Sequence, residues 1–276
     1  MTKISAAEVN NLRKQTGAGL MDCKNALVEA NGDFEDAIVI LRKQGQKIAA
    51  KRADRAASEG VIIAKTTEDG KKGIMIELNC ETDFVAKNED FISFANSIAD
   101  VSLSENAEDL DAVKALSIDG LSVEERLNEQ MGKIGEKIDF SYVESLEGEK
   151  VISYIHPGAK LGVLIAYNAT SIDDETGKDV AMQIAAMNPI AIDEDGVDQE
   201  TIDKEKEIFM DQIKKEGKPE EIAEKIAIGK LNKFFKENTL VHQQFVKDNS
   251  KTISQVLTEV DKELKVTGFK RKSIGS

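Results

Sequence analysis

Two stretches of this chain repeat one pattern, and that repetition limits the fold more than any other feature. "VIIAKTTEDGKKGIMIELN" reads as two strands around a turn containing Asp69-Gly70. "KVISYIHPGAKLGVLIAYN" reads as two strands around another tight turn. A helical pattern follows each: Phe91, Ile92, Ala95 and Ile98 share a face after the first, as do Val180, Ala181, Ile184 and Ala185 after the second. The copies align at one constant offset, with Gly73 on Gly162, Asn79 on Asn168 and Phe91 on Val180. A duplicated strand–strand–helix unit implies an α+β core of two similar halves.

Helices flank this core. Ser5 and Glu8 form a capping box before Val9 and Leu12, and Gly17-Ala-Gly19 ends that helix. A second helix places Cys23, Ala26, Leu27 and Ala30 at helical spacing and stops at Asn31-Gly32. A third opens at Asp33 with Ala37, Ile38 and Leu41 inward. So small a bundle buries little apolar area, which suits docking better than catalysis. Residues 1–50 are therefore expected to form a three-helix docking domain and 51–59 a charged linker. Residues 60–140 then form the first core half. Within them, 106–138 read as further helices, one with a capping box from Ser122 to Glu125. Residues 141–276 form the second half, with an inserted helical hairpin at about 198–238 split by Gly217-Lys-Pro219. In that hairpin Ile202, Phe209 and Ile213 face Ile222, Ile226 and Phe234. The short C-terminal segment reads as one helix, "SKTISQVLTEVDKEL", and one strand, "KVTGFKRKS".

Charge and length narrow the partners. The 276 residues carry a formal charge of −14. That argues against nucleic acid as a direct ligand, because such affinity rests on Lys and Arg neutralising phosphates. No apolar run approaches the roughly 20 residues of a membrane span. Two cysteines without a spacing motif, Cys23 and Cys80, fit a reducing cytoplasm.

The sharpest local puzzle is "NCETDFVAKNEDF", residues 79–91. It places Phe84 in a polar connector, between the strand and a helix capped by Asn88. At the matching position the second half has "TSIDD", of equal length and without an aromatic, so the shared fold does not need Phe84. The plain reading tucks Phe84 back over its own helix, as large aromatics are usually mostly buried. The functional reading is an exposed hook, with Thr82 and Asp83 fixing the turn.

His156, beside Pro157-Gly158 in the second hairpin turn, poses the same choice: solvated, or else a base, a metal ligand or a contact residue. Catalysis has little support. His242 is far along the chain, and neither histidine has a cysteine or paired carboxylates at useful spacing. Gly17-Ala-Gly19 follows a helix and is too short for a phosphate loop. The expectation is a rigid platform with protruding contacts, with no metal site, cofactor or catalytic centre of its own. Two rivals stand beside it: a small hydrolase or transferase using His156 or Cys80, and a passive scaffold binding through the N-terminal helices.

"LRKQTGAGLMDCKNAL", "ANGD", "NCETDFVAKNEDF" and "YIHPGAKLGVL" together closely resemble the bacterial elongation factor Ts family, in the same order and over nearly the whole chain. The resemblance implies a non-enzymatic guanine-nucleotide exchange factor for the GTPase elongation factor Tu. It implies a UBA-like N-terminal domain and a possible oligomer of the complex. It assigns Thr82, Asp83, Phe84 and Val85 to the turn that enters the GTPase beside the nucleotide and dislodges Mg²⁺. It makes His156 a contact near the phosphate-binding loop, and Arg13, Leu20 and Met21 the N-terminal contacts. Two departures are visible. Pro157 stands where many members carry a small residue, and the chain stops at Ser276 where many continue into a further helix, a contact expected to be missing here.

Overall fold

The computed structural model describes residues 4–216 and 219–275, with the backbone alone for 220–222. Its elements begin with α1 (Ala6–Thr16), α2 (Leu20–Glu29) and α3 (Phe34–Arg52). Then come β1 (Glu59–Thr66), β2 (Lys72–Cys80), α4 (Asp83–Ala86), α5 (Glu89–Ser104) and α6 (Leu110–Ala115). A small hairpin, β3 (Ser117–Ile118) and β4 (Leu121–Ser122), leads into α7 (Val123–Ile134) and β5 (Ile138–Glu147). The remainder is β6 (Lys150–Ile155), β7 (Leu161–Tyr167), α8 (Asp174–Met187), α9 (Gln199–Lys215), α10 (Glu220–Asn238), β8 (Gln244–Phe245), β9 (Asp248–Thr252), α11 (Ile253–Val260) and β10 (Val266–Ser273).

The fold is α+β, and its two larger sheets have the orders β1-β2-β5 and β10-β7-β6. The duplicated strands β2 and β7 are the central ones. Each is buried from its second residue onward, which is why "GIMIELN" and "GVLIAYN" are so apolar. Each predicted hairpin gains a third strand, β5 or β10. Strand β5 was not foreseen, although Ile138 and Phe140 alternate inward with Asp139 and Ser141.

Two compact units divide the chain. One holds the residues up to Ile63, Met75–Glu144 and the stretch from Ser273; the other holds Ala64–Ile74 and Ser145–Lys272. In the first, α1–α3 enclose Val9, Leu12, Cys23, Ala26, Leu27 and Ala37. The expected capping boxes form at Ser5 and Ser122. Helix α3 runs on to Arg52, two residues into the stretch 51–59 expected as a linker. Gly45, inside it, is the point of contact with α7: a Cβ there would lie 2.7 Å from the Asn128 carbonyl oxygen. Ion pairing of Arg42 with Glu129 at 3.4 Å joins the same two helices. Residues 106–138 are not all helical. Asp119 and Gly120, at φ 50° and 80°, build the tight turn between β3 and β4, as two positive-φ residues in succession require.

In the second unit, α8 and α11 cover one core with β6 and β7, around Tyr167, Ile184, Leu240 and Leu257. β6 and β7 pair antiparallel from Lys150↔Tyr167 to Ile155↔Gly162. Gly73 belongs here: a Cβ would come within 2.9 Å of both Leu164 and Val151. Helices α9 and α10 form the hairpin, packed where Ile213 meets Ala223 and Ala227 beside Met210 and Ile226. Ala223 and Ala227 were not foreseen at that seam; their small side chains let the helices approach. Gly217 and Lys218 of the expected break, and the Ile222 side chain, lie outside the described residues. The predicted last helix is shorter than expected, because Thr252 caps it with Gln255 and the preceding residues pair as β9.

Candidate functional site

The turn after β2 is built from both of its ends. Asn88 accepts from the Asp90 and Phe91 backbone N–H groups and so starts α5. Before it, residues 83–86 close one helical turn, α4, rather than the plain connector expected. Ala86 fills the inward position of that turn, and Phe91 opens the core face of α5. Phe84 is left outward with 83% of its surface exposed, which overturns the tucked reading. Asp83 binds Lys87 at 2.6 Å across the turn, and Val85 is half-buried beside Phe84. The second half takes a shorter route: Ile172 is buried, Asp173 caps directly, and α8 begins at once.

Behind the turn lie two carboxylates that the sequence reading missed. Glu136 accepts from the Thr82 backbone N–H at 3.0 Å and from its hydroxyl at 2.7 Å. Glu81, its side chain 17% exposed, accepts from Arg52 at 2.7 Å, Arg55 at 3.0 Å and the Lys137 backbone N–H at 2.6 Å. These donors, the Lys137 amide foremost and then the two guanidinium groups, hold the Glu81 carboxyl down at about 2. Residues 136 and 137 face this way because α7 ends at Gly135, whose φ of 75° turns the chain back.

The other expected contact residues are separate from the turn in sequence. Leu20 and Met21 open α2 with 49% and 60% of their surfaces exposed, and Arg13 is exposed on α1. Val28, seven residues after Met21 on the same helix, is also exposed and extends that apolar face. His156 lies in the second unit and is exposed in the β6–β7 turn. Its carbonyl accepts from Ala159 at 3.0 Å, with Pro157 and a positive-φ Gly158 between them. Its Nδ1 lies 3.0 Å from the Tyr154 hydroxyl.

Nucleophilic chemistry fares poorly here. Burial, reinforced by the negative charge of Glu136, pushes the Cys80 thiol up to about 12, so it is not a thiolate at neutral pH. Burial likewise raises Cys23. His242 Nδ1 lies 2.8 Å from the Thr239 hydroxyl. No group of three metal-donor side chains comes together among the described residues, and no described helix is long and apolar enough to cross a membrane.

A family model described as elongation factor TS matches residues 81–276. Elongation factor Ts of Christiangramia forsetii is 54% identical, with all of both chains covered. This chain belongs to the elongation factor Ts family. Elongation factor Ts of Amoebophilus asiaticus is 51% identical over 99% of each chain, and that of Cytophaga hutchinsonii is 49% identical over 99% of this chain and all of its own. Membership of this bacterial elongation factor Ts family makes the protein a translation elongation factor. The matched region contains the Thr82–Val85 turn and His156, and the full-length relatives extend the likeness over Arg13, Leu20 and Met21.

Proposed function

We propose that this protein is a cytoplasmic guanine-nucleotide exchange factor, without a reaction centre of its own, that binds elongation factor Tu·GDP and speeds GDP release so that GTP can rebind. The observation that carries this reading is Phe84, a large aromatic held almost fully in solvent on a braced turn. Exposing it brings the fold nothing, since the second half joins its strand to its helix by a shorter route with Ile172 buried and no aromatic.

In this reading the turn from Thr82 to Val85 enters the GTPase beside its nucleotide. Mg²⁺ there demands near-ideal octahedral geometry, so a small displacement of the residues holding it weakens the metal and then GDP. Linkage makes the effect reciprocal: GDP and the exchange factor weaken each other's binding. A ten-thousandfold weakening takes about 5.5 kcal/mol of differential binding. One Phe supplies about 1.5–3 kcal/mol when buried. The wedge therefore needs help, which His156 and the apolar face of Leu20 and Met21, with Arg13, are suited to give. The partner is a protein; the −14 charge disfavours direct nucleic-acid binding.

The test is release of a fluorescent GDP analogue from elongation factor Tu with and without this protein. Faster release that saturates with added protein is expected. Binding without faster release would favour the scaffold, and turnover of a small substrate without any GTPase would favour the enzyme.

A further inference from the structure

We propose that Glu81 and Glu136 are positioning residues of the exchange turn: two carboxylates that fasten it from behind, to the end of α3 and to the α7–β5 junction, so that Phe84 is presented in one place. This rests on the exchange reading above and adds what holds the wedge still. Helix α4 has four residues, far below the length at which a helix stands alone. Its N-cap, Thr82, makes no capping bond with its own side chain. That hydroxyl donates to Glu136 instead, beside the Thr82 backbone N–H on the same carboxylate. The geometry of the turn is thus set by a residue from another element.

Glu81 performs the second fastening. Its partner Arg52 ends α3 and Arg55 lies three residues beyond, while the Lys137 amide comes from the α7–β5 junction. Lys137 closes the circuit, since its Nζ donates to the Ala53 carbonyl at 2.8 Å. Stretch 51–59, expected as a linker, is therefore tied to Glu81 through residues 52 and 55 and to Lys137 through residue 53. The bonds to Arg52 and Arg55 are charge-assisted and hold direction as well as distance. The half of the fold without a projecting aromatic has Thr170 and Ser171 where the first half has Glu81 and Thr82. The Glu81 fastening thus accompanies the wedge.

The chain contains no Trp, so Phe84→Trp places a single fluorescent reporter at the tip. In that full-length background, Glu136→Ala and Glu81→Ala are expected to lower the anisotropy of the reporter. The unfolding midpoint should stay near its starting value in Glu136→Ala, whereas Glu81→Ala also loses stability at neutral pH, so its anisotropy is read well below its own midpoint. With Phe84 in place, each should lower the maximal rate of GDP-analogue release by about tenfold or more, because small misplacements of a contact group are costly. The half-saturating concentration should move less than about threefold, since docking surfaces elsewhere are intact. Glu136→Gln should recover part of the rate, as one acceptor oxygen remains. Thr82→Val keeps the shape and removes only the hydroxyl bond, and it carries the test if Glu136→Ala does not fold; it should act in the same direction. Unchanged anisotropy and unchanged maximal rate in these variants would overturn the proposal. If the unmodified protein itself fails to speed release, the exchange reading fails, and the anisotropy comparison still decides whether the two carboxylates hold the turn.

Discussion

Gly45 and Gly132 meet where α3 crosses α7: a Cβ on Gly132 would lie 3.2 Å from the Gly45 Cα. Two helices approach this closely only with small residues at the crossing. The N-terminal helices are thereby seated on the last turns of α7, just before Gly135 and Glu136. Gly45→Ala improves helix propensity by about 0.5–1 kcal/mol, yet its Cβ would press on the Asn128 backbone, at a cost of about 1–3 kcal/mol. Net destabilisation of about 1 kcal/mol is expected in urea unfolding. Gly229 of α10 is the contrast. A Cβ there meets nothing within 4 Å, so Gly229→Ala should stabilise by up to about 1 kcal/mol. Equal effects at the two sites would show that the α3–α7 contact is not tight.

Phe84→Ala should separate function from stability. An exposed side chain contributes little to folding, so unfolding should shift by no more than about 0.5 kcal/mol. Exchange should fall by about tenfold or more, the factor that losing 1.5–3 kcal/mol of burial in the partner implies. A large loss of stability with little loss of exchange would reverse the assignment.

His156→Ala should be milder. The side chain is exposed and its neighbour Tyr154 makes one contact to it, so folding should be unaffected. One hydrogen-bonding contact to a partner is worth about 0.5–1.5 kcal/mol, so the expected drop in exchange is about threefold to tenfold. A loss exceeding that of Phe84→Ala would make the histidine, and not the wedge, the principal contact.

Glu81 gives the first unit an acid limb. Its carboxyl titrates at about 2 in the folded protein against an ordinary 4.5. A depressed folded value means that the unfolded chain binds the proton first, so the stability from this group is complete above about pH 4.5 and is lost as pH falls towards about 2. Comparing wild type with Glu81→Gln between pH 6 and pH 2.5, the difference in unfolding free energy should be largest near neutrality and shrink on acidification. A difference independent of pH would mean that the carboxylate is not held as the geometry shows.

What the sequence disclosed follows from the range of the interactions. The central strands β2 and β7 were legible because burial on both faces makes them apolar throughout. Caps at Ser5 and Ser122 were legible because their partners lie three residues away. Strand β5 was hidden by its half-exposed alternation. Phe84 was open to both readings, since nothing local says which side of the turn faces water. The clamp was not legible: Thr82 and Glu136 are 54 residues apart, and Glu81 and Lys137 are 56. Nothing in the sequence near Glu136 names its partner, beyond the hint that Gly135 ends a helix.

The last prediction divides docking from exchange. Leu20 and Met21 stand on the outer face of α2, with Cys23, Ala26 and Leu27 turned inward to the bundle core. Truncating the outer pair therefore leaves the fold intact and removes apolar area only from an encounter surface. Each truncation should cost about 1–2 kcal/mol of binding if that surface is buried by the GTPase. In the full-length protein, Leu20→Ala with Met21→Ala should raise the half-saturating concentration for GDP-analogue release by about tenfold or more, with the maximal rate unchanged. Val28→Ala, on the same face but further along α2, should act in the same sense and more weakly. The clamp variants predict the opposite split, a lower maximal rate at nearly constant half-saturation. If the Leu20 and Met21 variant instead lowered the maximal rate alone, α2 would be taking part in opening the nucleotide site, and the division between a docking face and a braced wedge would not hold.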